Sequence, residues 1–174
     1  MSNILLSVAL LVMLCSSQYA YADIEVKFLE GAPKDKFVFK NTSECNLQNI
    51  VLKVDLSNSQ GGLIFDTTAT GQGVEVFQPF EVTEGELALT SSGKVKDGAK
   101  HLSLNVKSIN AKQSVSFTID VDDTLDRSEL GNIRVSGNEI TNAAVDINFD
   151  SEESATAVFN KQGKALLLMP QCTV

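Results

Sequence analysis

The sequence contains no tryptophan, a single histidine and two tyrosines, and both tyrosines, Tyr19 and Tyr21, fall among its first 22 residues. From residue 23 onward phenylalanine is the only aromatic side chain. That argues against a site that stacks sugar rings on tryptophan or tyrosine, and leaves the phenylalanines as core material. His101 reads as a half-exposed strand residue, and nothing resembles a nucleophile elbow. Positive charge is the minority sign: 14 Lys and Arg stand against 22 Asp and Glu, a net charge of −8. Such a surface repels nucleic acid and anionic membrane and attracts cations. No apolar run approaches the roughly 20 residues that a membrane-spanning helix needs.

The one sustained apolar run, Ile4 to Leu14, sits at the start of the chain and is followed by Ala20-Tyr21-Ala22. Small residues flanking a cleavage point after a short apolar stretch predict a secretory signal peptide over residues 1–22, removed before Asp23. Cys15 follows Leu14, where a lipoprotein leader would carry a small residue. The expected mature chain, 23–174, is long enough for one compact domain with its own core, and it carries no segment for membrane insertion once the leader is gone. Cysteine is scarce as well: only Cys45 and Cys172 survive cleavage. In an oxidising compartment they have one intramolecular pairing, which would fasten the C-terminal tail near the second or third strand. The chain-entropy model puts an upper figure of about 5 kcal/mol on so long a loop. Two buried thiols or an intermolecular bond are the alternatives.

What the sequence has in quantity is alternation. "DKFVFK", "NIVLKVDLS", "GVEVFQPF", "HLSLNVKSI", "SVSFTIDV", "GNIRVSG", "AAVDINF", "TAVFN" and "KALLLM" follow a period near two, and Gly, Asn, Asp and Ser separate them. No stretch carries three turns of amphipathic helix; Leu125 to Leu130 ("LDRSEL") is expected to form at most a single helical turn. The pattern predicts an all-β fold, an antiparallel two-sheet sandwich of jelly-roll type. Pro79 interrupts "VFQPFEV" and marks an edge strand or a bulge. Gly61-Gly62 and the glycines at 71 and 73 mark tight turns. Asn41-Thr42-Ser43 fits the N-glycosylation sequon, which matters in a eukaryotic source.

The most suggestive run is "IDVDDTL", Ile119 to Leu125. It resembles the first motif of the haloacid dehalogenase superfamily, in which two aspartates, here Asp120 and Asp122, serve as nucleophile and general acid beside magnesium. That chemistry requires a parallel strand with helical crossovers, and fewer than 50 residues follow, all patterned as strands. As a half-buried strand, the run sends Phe117, Ile119 and Val121 to the core and places Thr118, Asp120 and Asp122 on the outer, solvated face. The two carboxylates would then stand about 7 Å apart. Asp120, Asp122, Asp123, Asp126 and Glu129 form a candidate set of hard oxygen ligands for calcium, with Asp66 or Glu75 added by folding. The spacing is not that of an EF-hand, because the sixth position from Asp120 is Leu125 and the twelfth is Gly131. The other reading is an acidic strand edge whose charge blunts aggregation.

Two longer runs carry a second resemblance. "GGLIFDTTATGQGVEVFQPFEV" (Gly61 to Val82) and "SFTIDVDDTLDRSELGNIRVSGNEI" (Ser116 to Ile140) resemble the bacterial aggregation factor core proteins, which are similar to a domain of the sponge aggregation factor. The likeness extends from about Phe37 to Phe149. It implies an exported, non-enzymatic protein of the cell surface or periplasm, acting in calcium-dependent adhesion or aggregation with a glycan or protein partner. A metal-free periplasmic binding or accessory module is the alternative, and a magnesium-dependent phosphohydrolase built on Asp120 and Asp122 the remote one.

Overall fold

A computed structural model describes residues 20–74, 76–91, 93–128, 130–131, 134–150 and 153–172. The chain alternation becomes two antiparallel sheets packed face to face, with no helix among the described residues. The strands are β1 (Ala20–Leu29), β2 (Asp35–Asn41), β3 (Leu47–Asp55), β4 (Ile64–Asp66), β5 (Glu81–Glu84), β6 (Leu87–Leu89), β7 (His101–Ile109), β8 (Ser114–Asp122), β9 (Ala144–Phe149), β10 (Ser154–Val158) and β11 (Lys164–Cys172). One sheet runs β11-β1-β2-β8-β4, with β5 also pairing β8; the other runs β10-β9-β3-β7-β6. No described helix is long and apolar enough to cross a membrane.

Period two explains the layers. Ile24, Val26 and Phe28 of β1, Phe37 and Phe39 of β2, Val115, Phe117, Ile119 and Val121 of β8, and Leu167 of β11 are buried. They join one core with Leu52 and Val54 of β3, Leu104 and Val106 of β7, and Val145 and Ile147 of β9. Phe37 is the hub. It is the direct cross-strand partner of Phe117 and stacks on it with centroids 5.1 Å apart. Phe28 tilts against it at 5.1 Å, while Phe65 and Phe159 meet it edge-on at 6.4 and 6.3 Å. Offset stacks and edge contacts satisfy the ring quadrupoles, and each adds about 0.5–1.5 kcal/mol to area burial.

Several sequence expectations change here. "GVEVFQPF" is not a strand: its described residues are irregular until β5 begins at Glu81, so Pro79 precedes an edge segment instead of lying in one. The described part of "GNIRVSG" is likewise outside any strand, and the described residues of 125–130 carry no helical turn. In each case a local pattern does not suffice to make a strand, because no neighbouring strand pairs with the segment. Asn41 is fully buried, and its amide donates to the carbonyls of Cys45 and Ile109 at 2.6 and 3.0 Å. The sequon is therefore a buried hub and not an exposed acceptor. The β1 strand begins at Ala20, inside the expected leader; the pairs from Asp23↔Leu168 to Lys27↔Lys164 lie beyond the expected cleavage point.

Removing the hub ring leaves a cavity that four neighbouring rings cannot fill. Phe37→Ala should lower the unfolding free energy by about 3–5 kcal/mol, read as a lower denaturant midpoint at constant slope. A loss below about 1 kcal/mol would contradict this packing.

Candidate metal centre

The site is built on one edge of β8. Along its first edge β8 pairs β2; along the other, β5 covers Ser116 to Thr118 and β4 covers Asp120 to Asp122. The registers place β4 and β5 end to end: Asp66 lies opposite Asp120, and Glu81 lies opposite Thr118. Residues 67–80 are thus an excursion from what would otherwise be one edge strand, and both of its ends are at the level of Asp120. Compact loops with adjacent ends are frequent bearers of function.

That excursion folds over the face the sequence assigned to solvent. The Val74 N–H donates to Asp122 Oδ2 at 2.7 Å, and Asp120 N–H donates to the Gln78 carbonyl at 3.2 Å. Gly73 lies so close that a Cβ there would collide with the carboxylates of Asp66 and Asp122. Instead of standing on a wet outer face, Asp120 and Asp122 are 2% and 0% exposed, and Asp66 is 0% exposed. β8 is consequently covered on both faces.

One carboxylate oxygen from each of Asp66, Asp120 and Asp122 lies within 4.8 Å of the others. For two ionised carboxylates at that separation the repulsion is about 3.5 kcal/mol at an effective dielectric of 20. Hydrogen bonds do little to offset it. Both oxygens of Asp66, Asp120 Oδ2 and Asp122 Oδ1 are buried without a partner. Asp97 and Asp122 do approach Asp66, but two carboxylates form a hydrogen bond only when they share a proton.

Burial is the main cause pushing Asp66 and Asp120 up to about 7, with the neighbouring aspartate charges adding to it. Burial also raises Asp122, against the opposing Val74 N–H. Asp35, at the start of β2, is pushed to about 8 by burial, although Gly31 and Val121 N–H groups donate to it. Its bond to Val121 anchors β8 between the two site aspartates. For Asp97, burial is outweighed by the Thr67 and Thr68 N–H donors, at 2.8 and 2.9 Å, and the carboxyl stays below the usual range.

Of the residues singled out from sequence, Asp120 and Asp122 come together with Asp66. Asp123 is buried beside them, with Oδ1 accepting from Leu125 N–H at 3.0 Å and Oδ2 unpartnered, but it is not in the triad. Asp126 is exposed and apart. Glu75 and Glu129 lie outside the described residues. The roles of Asp35 and Asp97 had no local sequence signal, since each depends on a partner more than 25 residues away. Chemically, the triad offers a hard cation one buried carboxylate oxygen from each of three residues. No family model, curated protein or solved structure matches this chain.

The charge cluster gives the cation-free protein an inverted pH dependence. Asp35, Asp66, Asp120 and Asp122 bind protons more tightly folded than unfolded, where an aspartate titrates near 4. Stability should therefore be fully present at about pH 4 and fall as pH rises toward 8. Asp97 and Asp55 act oppositely, but only as pH drops below about 4; burial pushes Asp55 up, while Lys53 and Ser57 outweigh it and bring it to about 2. In chelator, the melting temperature should be higher at pH 5 than at pH 8. The reverse order would show that the cluster is not buried in this way.

Proposed function

We propose that this is an exported, non-enzymatic β-sandwich protein that binds calcium at Asp66, Asp120 and Asp122 and acts in cell-surface adhesion or aggregation. The observation that carries the metal reading is the set of buried carboxylate oxygens with no hydrogen-bond donor. Leaving such groups uncompensated is costly, and a cation compensates all of them at once. A dry cage of carboxylates suits calcium, which takes 6–8 oxygens at flexible geometry. Magnesium keeps several waters and needs a stricter octahedron.

Adhesion is supported by the resemblance described above, and by where its residues fall. The two densest runs, Gly61 to Val82 and Ser116 to Ile140, supply Asp66, Gly73, Val74 and Gln78 on one side and Asp120 and Asp122 on the other. The phosphohydrolase reading loses support because β8 is antiparallel to β2, β4 and β5, whereas that chemistry requires a parallel strand. Export and location in the periplasm or at the cell surface rest on the leader sequence.

Calcium at 100 times its dissociation constant would stabilise the native state by about 2.7 kcal/mol, or about 5–10 °C for a chain of this size. Ca²⁺ at about 10 mM, roughly 10–100 times the dissociation constant of extracellular calcium modules, should therefore raise the melting temperature of chelator-treated protein. Asp122→Asn should remove the shift while stabilising the cation-free form, and Gly73→Ala should weaken binding. A wild-type melting temperature indifferent to Ca²⁺ at that concentration would leave the metal-free binding module as the better reading.

The side chain of Cys172, the expected partner of Cys45, lies outside the described residues. The proposed Cys45–Cys172 bond should appear as two linked peptides in a non-reducing digest of exported protein, whose intact mass should begin at Asp23. Two alkylatable thiols, or retention of Met1, would contradict the export reading.

A further inference from the structure

Period two leaves β11 with an anomalous outer face. Elsewhere the positions turned away from the core are mostly polar, as with Glu25 and Lys27 in β1 or Asp146 and Asn148 in β9. In β11, Ala165, Leu167 and Met169 are buried in the core, yet Leu166 and Leu168 on the other face are 51% and 64% exposed. Val158 of β10 is 58% exposed and lines a shallow groove with Leu166 and Lys164. These three are the most exposed large apolar side chains among the described residues. A strand that is apolar on both faces is normally covered on both. A contiguous exposed apolar patch marks an interaction surface.

The surroundings of the patch say what covers it. Cross-strand partners share a face, and β1 sets Asp23 opposite Leu168, Glu25 opposite Leu166 and Lys27 opposite Lys164. Glu25 and Lys27 pair with each other at 3.2 Å. That leaves a carboxylate beside Leu168 at one end of the stripe and the Lys164 ammonium at the other. Asp23 Oδ1 is buried without a hydrogen-bond partner. Other lysines are unpaired too, but Lys164 is the one that ends this stripe. A surface whose charge reverses from end to end complements a copy of itself, turned about a two-fold axis perpendicular to the strands. Leu166 then meets the second copy's Leu166, and each Lys164 comes over the row of Leu168 and Asp23. A two-fold axis parallel to the strands would set lysine against lysine. An anionic lipid surface is repelled by Asp23 and by the net charge of −8.

We infer that this protein forms a two-fold dimer of its own chain through the outer face of β11 and the adjoining Val158. Leu166 and Leu168 supply the buried apolar centre, and Lys164–Asp23 contacts at the two ends fix the register. β11 lies outside the Phe37–Phe149 segment that carries the family resemblance. It is also at the sheet edge opposite β4, which carries Asp66, so the dimer does not depend on the cation.

The test is sedimentation velocity of exported wild-type protein, in Ca²⁺ and in chelator. At about 100 µM, well above the micromolar dissociation constants of weak specific interfaces, it should sediment at twice the chain mass in both. Leu166→Thr/Leu168→Thr changes exposed side chains to another β-compatible type. It should weaken the dimer tenfold or more while the circular dichroism spectrum stays that of the wild type. Val158→Thr, on a different strand, should weaken it in the same direction, and Lys164→Glu tenfold or more. Val82→Thr, equally apolar and exposed but on β5, should leave the dimer unchanged. A wild type that stays monomeric, or a dimer that survives the double leucine variant, would overturn the proposal. So would a dimer that forms only with Ca²⁺, or open polymers in place of a closed pair.

Discussion

Mutual repulsion among three buried aspartates is the constraint around which this end of the sandwich is arranged. Asp66, Asp120 and Asp122 are out of water and close enough for each ionised pair to repel substantially. None of the ion pairs among the described residues brings a lysine or arginine to them. Neutralisation is therefore left to protons or to a metal cation. Protons serve only up to about pH 7, where Asp66 and Asp120 titrate. A divalent cation would serve with all three ionised, and it would also supply the partner that the orphaned oxygens lack.

The backbone holds this unfavourable cluster together by giving each element little freedom. Two halves of one edge strand, β4 and β5, sit end to end on β8, so the 67–80 excursion has to leave and return at Asp120. Gly73 then brings backbone against the carboxylates where any side chain would clash. On the opposite edge Asp35 accepts from Val121 N–H at 3.0 Å, which extends the β2–β8 pairing beyond the end of the backbone ladder. Below the site Phe117 stacks on Phe37, so β8 is held from its core face as well. A polar site on a rigid strand backed by a packed core keeps its geometry better than one carried on loops alone.

The sequence made the fold class legible because alternation is a backbone property: "FVF" in β2 and "LSLNV" in β7 point alternate residues inward wherever they pair. It misled where an alternating segment pairs with no strand. "GVEVF" alternates as well as any true strand, yet Val76 and Phe77 are exposed in the excursion. The site was half legible. Asp120 and Asp122 share a face by period alone, but Asp66 joins them through the register Asp66↔Asp120, across more than 50 residues. The assumption that failed was that the polar face of a strand is the wet one; it holds only until another segment covers that face. Asp123 and Asp126 were included for their proximity in sequence, which says little about which oxygens converge in space.

On the proposed reading, a buried acidic cluster that needs a cation would behave differently on the two sides of a membrane. Extracellular calcium modules bind at about 10⁻⁴–10⁻³ M, far weaker than cytosolic buffers. On the proposed export route, a site of that affinity stays empty where calcium is scarce and fills only after translocation. Before export, the ionised triad would oppose folding under the 67–80 excursion, which would favour a chain still competent to be translocated. After export the cation would add its binding free energy to that of the core and fix the 67–80 excursion. The same three carboxylates would then link folding to location.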